Sequence, residues 1–140
     1  MLCGGGVPAG VRGIKMFLDT NFLIDLETEL LTRNVGPARR FLASNRNRKH
    51  EVSVISAGEL ATGLNDDAAA RQFLSKFRIV SLKLEIALEA AAIDRQLCAL
   101  GLRLGENDNW IAGFARYYGS PLVSNDLAFD RVRGLRRIAY

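Results

Sequence analysis

Apolar positions along the chain fall into two alternating rhythms. Residues 14–19 form a short strand-type run carrying Met16, Phe17 and Leu18 and ending on Asp19. Residues 21–31 then place Phe22, Leu23, Leu26 and Leu30 at the spacing of one helical face. Pro37 suits the first turn of a second helix, with Phe41 and Leu42 inward and Arg39, Arg40, Arg46 and Arg48 outward. Residues 51–56 alternate Val52 and Val54 with polar neighbours and read as a second strand. Ser56 then caps a short helix over 57–64, because Ser56-Ala57-Gly58-Glu59 has capping-box spacing. Asp66 or Asp67 caps another helix running to Phe77. Residues 78–82 predict a third strand and 84–100 an Ala- and Leu-rich helix stopped by Gly101. Residues 107–118 form an amphipathic helix closed by Gly119, residues 121–124 a fourth strand, and residues 136–140 a fifth. Strands alternating with helices imply right-handed crossovers. The expected fold is α/β, a three-layer α/β/α sandwich with a central parallel sheet of four to five strands.

Residues 1–13 are Gly-rich and lack either rhythm, so a flexible tail is expected there, with one domain over 14–140. Met16 heads the first strand and is a candidate natural start. Gly4, Gly6 and Ala9 echo a dinucleotide-binding motif, but they precede the first strand where that motif must follow one. No apolar run approaches the roughly 20 residues of a membrane-spanning helix, and the start has no secretory h-region. Cys3 and Cys98 offer no disulfide framework, which fits a reducing cytoplasm. Nineteen Lys and Arg against 15 Asp and Glu give +4, a bias that permits a polyanionic partner without demanding one.

Four acids stand at element boundaries. Asp19 ends the first strand, Glu59 opens the helix after the second, Asp108 opens a long helix, and Asp126 follows the fourth strand. In an open parallel sheet the carboxyl ends of the strands face the ligand crevice. Carboxylates held together repel, by about 4 kcal/mol for a pair at 4 Å and an effective dielectric of 20. A cluster persists by protonating some members or by binding a hard cation, and oxygen ligands with water suit Mg²⁺ or Mn²⁺. Such a centre activates water and stabilises charge on a phosphodiester. Each acid also has a plainer reading: Asp19 as an N-cap, Glu59 as a capping-box partner, Asp108 as an acid favoured by the helix dipole, Asp126 as a turn residue. Spacing alone leaves both readings open.

The ordered set Leu18-Asp19-Thr20-Asn21, Ser56-Ala57-Gly58-Glu59-Leu60-Ala61-Thr62-Gly63, Gly105-Glu106-Asn107-Asp108-Asn109-Trp110-Ile111-Ala112, Leu122-Val123-Ser124-Asn125-Asp126 and Phe129-x-x-Val132-x-x-Leu135 resembles the PIN-domain ribonucleases. It is most similar to VapC toxins of bacterial type II toxin–antitoxin pairs. The resemblance spans about residues 14–140 and implies a flavodoxin-like, PIN-like nuclease domain acting as a Mg²⁺- or Mn²⁺-dependent endoribonuclease. By motif position it implies that Asp19, Glu59, Asp108 and Asp126 form the family's acidic quartet. Asp19 and Asp108 would contact metal directly, Glu59 would bind metal or orient water, and Asp126 holds a position that varies in the family and often carries Asn. Thr20 would support the site through its hydroxyl, and Asn21 and Asn125 would orient carboxylates or phosphate. The stretches around 105–115 and 125–135 are similar to the subgroup cutting initiator tRNA, which favours tRNA as substrate. A VapB-like antitoxin partner, homodimerisation and a cytoplasmic location follow from the same resemblance.

The basic groups Arg39, Arg40, Arg46, Arg48, Lys49 and Arg131, Arg133, Arg136, Arg137 are candidate phosphate contacts, or else solvated surface. Trp110 and Phe114 are expected in the core, Asp25 and Asp94 on the surface, and His50 lacks any hydrolase motif around it. Two other functions fit less well. A phosphoacceptor receiver domain would need an acidic pair near the first strand's end and a Lys after a late strand, yet no Lys follows Lys83. A catalytically silent PIN-like module that binds RNA or protein would not require all four acids.

Overall fold

The computed structural model describes residues 15–140. Its elements are β1 (Lys15–Leu18), α1 (Thr20–Thr32), α2 (Pro37–Ser44), β2 (Lys49–Ser53), α3 (Val54–Thr62), α4 (Asp67–Leu74), β3 (Arg78–Val80), α5 (Leu84–Ala99), α6 (Glu106–Tyr118), β4 (Leu122–Val123), a 3-10 turn (Leu127–Arg131) and β5 (Arg137–Ile138). The five strands are all parallel, in the order β3-β2-β1-β4-β5. The chain builds outward from β1 through β2 to β3, then crosses to lay β4 on the other side of β1. That reversal opens a crevice between the carboxyl ends of β1 and β4, the usual ligand position in such sheets.

Alternation along β1 sorts the core into two. Phe17 faces one side, with Ile86 and Ile93 of α5 and Ile111 and Phe114 of α6. Met16 and Leu18 face the other, with Phe22, Leu23 and Leu26 of α1 and Leu60 of α3. The three-layer α/β/α arrangement is therefore the one the patterning predicts. Helices α5 and α6 make the most extensive helix pair. Gly113 permits it: a Cβ there would lie 2.9 Å from Ala90 Cβ and 3.2 Å from that residue's main chain.

Several expected boundaries shift, each for a local reason. The second strand stops at Ser53, three residues early, because Ser53 Oγ accepts the Ser56 N–H at 3.1 Å and caps α3 from there. Val54 and Ile55, β-branched and strand-like in sequence, instead begin a helix, and Val54 is 41% exposed. The capping box at Ser56 and Glu59 is thereby overturned, with Ser56 buried inside α3 and Glu59 in its body. Helix α4 ends at Leu74, short of Phe77, and strands β4 and β5 hold two residues each. Leu30 is exposed rather than in the core. Trp110 is half-buried and lines a cleft of about 290 Å³ with Ala87, Ala91 and Leu104, outside both apolar clusters. Asp25 is on the surface as expected, where it accepts the Tyr140 hydroxyl at 2.6 Å. Asp94 pairs with Arg103 on the surface. The expected 1–13 tail, Cys3 and Ile14 lie outside the described residues.

One buried acid had no sequence signature. Helix α2 has Gly36 at its N-cap, which offers no side-chain cap. Glu29 of α1 supplies it instead, accepting the N–H groups of Gly36, Ala38 and Arg39 at 3.0, 3.0 and 2.9 Å. Burial alone would raise this carboxyl's pKa, but the three N–H donors and the charge of Arg40 bring it below the usual range. Glu29→Ala strands those donors and is expected to cost about 2 kcal/mol, the upper end for a lost cap. Urea unfolding measures it, and Glu29→Gln, which keeps one acceptor oxygen, should lose less.

Candidate active site

The residue that ends β1 at the crevice is Asp19, only 3% exposed. Its Oδ1 accepts the Thr20 N–H at 2.8 Å, and its Oδ2 accepts the Ser124 hydroxyl at 2.7 Å from the end of β4. The capping reading of Asp19 holds, with one oxygen on the first N–H of α1, and its other oxygen takes the Ser124 hydroxyl at the crevice. Asp126 behaves likewise. Its Oδ1 accepts the Ala128 N–H at 2.9 Å, capping the 3-10 turn, and its own N–H donates to Ser124 Oγ at 3.0 Å. The fully buried Ser124 hydroxyl thus joins both acids.

Glu59 enters from α3. Its Oε1 accepts the Thr20 hydroxyl at 2.5 Å and its Oε2 accepts the Asn107 amide at 2.9 Å. Thr20 Oγ1 also lies 3.1 Å from Ser56 Oγ. Asn107 sits in the first turn of α6 beside Asp108, so this bond ties α3 to α6 and sets Glu59 near the fourth acid.

The electrostatics register the crowding. Asp108 is pushed up to about 6, first by burial and then by the charges of Asp19, Asp126 and Glu59. Burial also raises Asp19; the bonds from Ser124 and the Thr20 N–H lower it, and the charges of Asp126 and Glu59 raise it further. Carboxylates act on one another in this way when they share a space at low dielectric. Hydrogen bonds through Ser124, Thr20 and Asn107 link Asp19, Asp126 and Glu59 around the carboxyl ends of β1 and β4, and Asp108 lies near enough to feel the charge of all three.

The supporting residues divide. Thr20 is inside the network. Asn21 is exposed at the start of α1. Asn125 turns away from the carboxylates: its Nδ2 donates to the Tyr140 carbonyl at 3.0 Å and its Oδ1 accepts the Tyr140 N–H at 2.9 Å. Ser124 and Asn107 are network members to which the sequence reading assigned no role, and Ser56 was read only as a helix cap, although all three lie within the motifs. Among the basic residues, Arg131 donates to the carbonyls of Leu102 and Arg103, in the loop before α6, and Arg137 is paired with Asp130.

Among the described residues no three Asp, Glu, His or Cys side chains are spaced to grip an ion by themselves. Hard divalent cations of the Mg²⁺ type are commonly held by one or two carboxylates, with water and substrate phosphate completing the shell. The crevice offers oxygen donors, with Asp19 and Glu59 each accepting a hydrogen bond on both oxygens and Asp126 on one. Burial and neighbouring charge disfavour the ionised forms of Asp19 and Asp108, and a cation would relieve both. The donor chemistry fits such an ion.

Known proteins share this frame. The PIN domain family matches residues 16–135. Ribonuclease VapC2 of Haemophilus influenzae is 35% identical over 132 residues, covering 88% of this chain and 96% of that protein. The DNA-bound VapBC structure from Salmonella typhimurium superposes with a TM-score of 0.72 at 27% identity, over 90% of this chain and 98% of that one. VapBC2 from Rickettsia felis, bound to a promoter DNA fragment, shares the fold with a TM-score of 0.73 at 22% identity, over 91% and 99% of the two chains. An unbroken family match through all four acids, with a relative aligned almost end to end, makes this chain a member of the PIN-domain family, among the VapC ribonucleases.

Proposed function

We propose that this chain is a Mg²⁺- or Mn²⁺-dependent endoribonuclease, the toxin of a VapBC-type pair, which cleaves tRNA or other structured RNA. What supports the reading is a hydrogen-bond network through Ser124, Thr20 and Asn107 that links Asp19, Asp126 and Glu59, with Asp108 within reach of their charges, in a sheet of the VapC family. Asp19 and Asp108 would hold the ion. When bound, it supplies charge neutralisation at the phosphate and a more acidic water.

The chain's own residues do the positioning. Ser124 and the Thr20 N–H fix both oxygens of Asp19, so the carboxylate keeps one orientation toward the crevice. Thr20 and Asn107 fix Glu59, whose remaining lone pairs would accept from a water beside the scissile phosphate. Asp126 has one oxygen free of its cap for the same task. Arg131, held beside the start of α6, offers its charge to an RNA phosphate. The water oxygen bonds to phosphorus, the bond to the 3′ oxygen breaks, and that oxygen takes up a proton. The products are a 5′-phosphate and a 3′-hydroxyl.

The Salmonella relative is a VapBC complex, and we extend that pairing to this chain. A VapB-like antitoxin would silence the crevice by setting a cation among its acids. Homodimerisation through apolar helices and a cytoplasmic location belong to the same reading; no helix among the described residues is long and apolar enough to cross a membrane.

Purified protein with Mn²⁺ or Mg²⁺ should cut total tRNA into discrete fragments. Cleavage should stop in EDTA and return with excess Mn²⁺, and sequencing of the new 5′ ends locates the cut. Undiminished cleavage in EDTA would overturn the metal-dependent reading. RNA retained in EDTA and never cut would point instead to a silent binding module.

A further inference from the structure

We propose that Arg137 is a positioning residue for the acidic crevice, its guanidinium clamping the loop that carries Ser124 and Asp126. Its consequence for catalysis rests on the nuclease reading above. Strands β4 and β5 are two residues long, and the ladder next to the crevice ends where the Ser124 N–H donates to the Ile138 carbonyl at 2.9 Å. The Ser124 carbonyl then points past the ladder, and Arg137 Nη1 donates to it at 3.0 Å. Arg137 Nε and Nη2 fork onto the two oxygens of Asp130 at 2.9 and 3.2 Å. Asp130 lies in the 3-10 turn that Asp126 caps. One planar side chain therefore joins both ends of the segment 124–130.

The consequence follows from Ser124. Its hydroxyl donates to Asp19 and accepts from the Asp126 main chain, so a displacement of Ser124 moves two acids at once. The Arg137 side chain is 15% exposed, and a bidentate fork in that setting fixes direction as well as charge, which a Lys cannot reproduce. Read in sequence, Arg137 belongs to a basic cluster able to meet phosphate. In the structure three of its five N–H groups are committed to Ser124 and Asp130. Asp126 also lies near enough for the two charges to attract.

The test compares wild type with Arg137→Met, Arg137→Lys and Asp130→Asn. Binding of Mn²⁺ alone is followed by electron paramagnetic resonance, and tRNA cleavage is measured in parallel at several salt concentrations. Loss of an outer-shell partner commonly costs about 10–100-fold in metal affinity or activity. Arg137→Met should weaken Mn²⁺ binding and lower kcat by about tenfold, the low end of that range, with KM and the salt dependence unchanged. Arg137→Lys should not rescue, and Asp130→Asn, an exposed replacement expected to fold, should change both readouts in the same direction. Three results would overturn the inference: a loss confined to KM with a shallower salt slope, as a phosphate contact gives; rescue by Lys; or wild-type Mn²⁺ affinity and kcat per folded molecule in both Arg137→Met and Asp130→Asn. Wild-type protein that neither binds Mn²⁺ nor cuts RNA would instead bring down the nuclease reading, and this inference with it.

Discussion

Asp108→Asn should lower RNA cleavage by about a thousandfold and, without metal, melt at a higher temperature than wild type above neutral pH. The first effect follows from the role proposed for Asp108. A metal contact supplies several kcal/mol of transition-state stabilisation, and at 1.36 kcal/mol per tenfold in rate about three decades are lost. The second follows from the crowding already on the structure. Asp108 is pushed up to about 6 because its charged form is disfavoured by burial and by Asp19, Asp126 and Glu59. Asn keeps the shape and removes that charge, so the folded state sheds a repulsion that the unfolded chain never had. Opposite signs for activity and stability mark a site held against its own electrostatics, a trade common at functional positions. Cleavage rates and thermal melts in EDTA measure the two effects. Cleavage within tenfold of wild type would remove Asp108 from the centre, and a lower melting temperature would mean that its carboxylate is structural.

Which parts of this site could be seen in the sequence depends on how far each signal reaches. Asp19 was legible twice over, because ending an apolar strand and capping the next helix both draw on neighbours along the chain. The positions of Asp108 and Asp126 were legible for the same reason. Glu59 was located by motif, but the capping box offered for it was wrong. Val54 and Ile55 prolong the strand pattern, and two serines three residues apart each suit a cap; packing chose Ser53. Glu29 reads as one more acid on an amphipathic helix. Its role exists only because α2 folds back with Gly36 lacking a side chain to cap itself. Ser124 is separated from Asp19 by 105 positions, and nothing local to a serine announces a bond of that range. Arg137 shows the same limit from the other side: its composition suggests a free cation, and only the β4–β5 pairing brings Ser124 and Asp130 within its reach.

As pH falls from 8 to 5, cleavage and the stability contributed by the crevice should move in opposite directions. Asp108 has an ordinary value of 3.8 and is raised to about 6 in the folded protein. The folded state therefore holds this proton more tightly than the unfolded chain does. Its destabilising charge is felt in full above about pH 6 and is relieved as pH falls from there toward 3.8. Asp19, also raised, acts in the same direction. Metal contact needs the ionised form, so cleavage at sub-saturating Mn²⁺ should drop by about tenfold per pH unit once pH is below the Asp108 value. Saturating Mn²⁺ favours the charged form and should move that limb to lower pH. His50 has the opposite sign. Its Nε2 is buried without a hydrogen-bond partner, and burial holds its pKa below 6.5. The stability it contributes is complete above 6.5 and is lost as pH falls through that value toward its lower folded one. In wild type the two trends oppose each other. Asp108→Asn should leave a stability that declines more steeply on acidification, since the compensating acid is gone. Rate profiles at fixed low Mn²⁺ and melts in EDTA at matched pH separate the contributions. An acid limb centred near 4 would mean that Asp108 titrates like an exposed carboxyl, and the shared acidic crevice would then have no electrostatic basis.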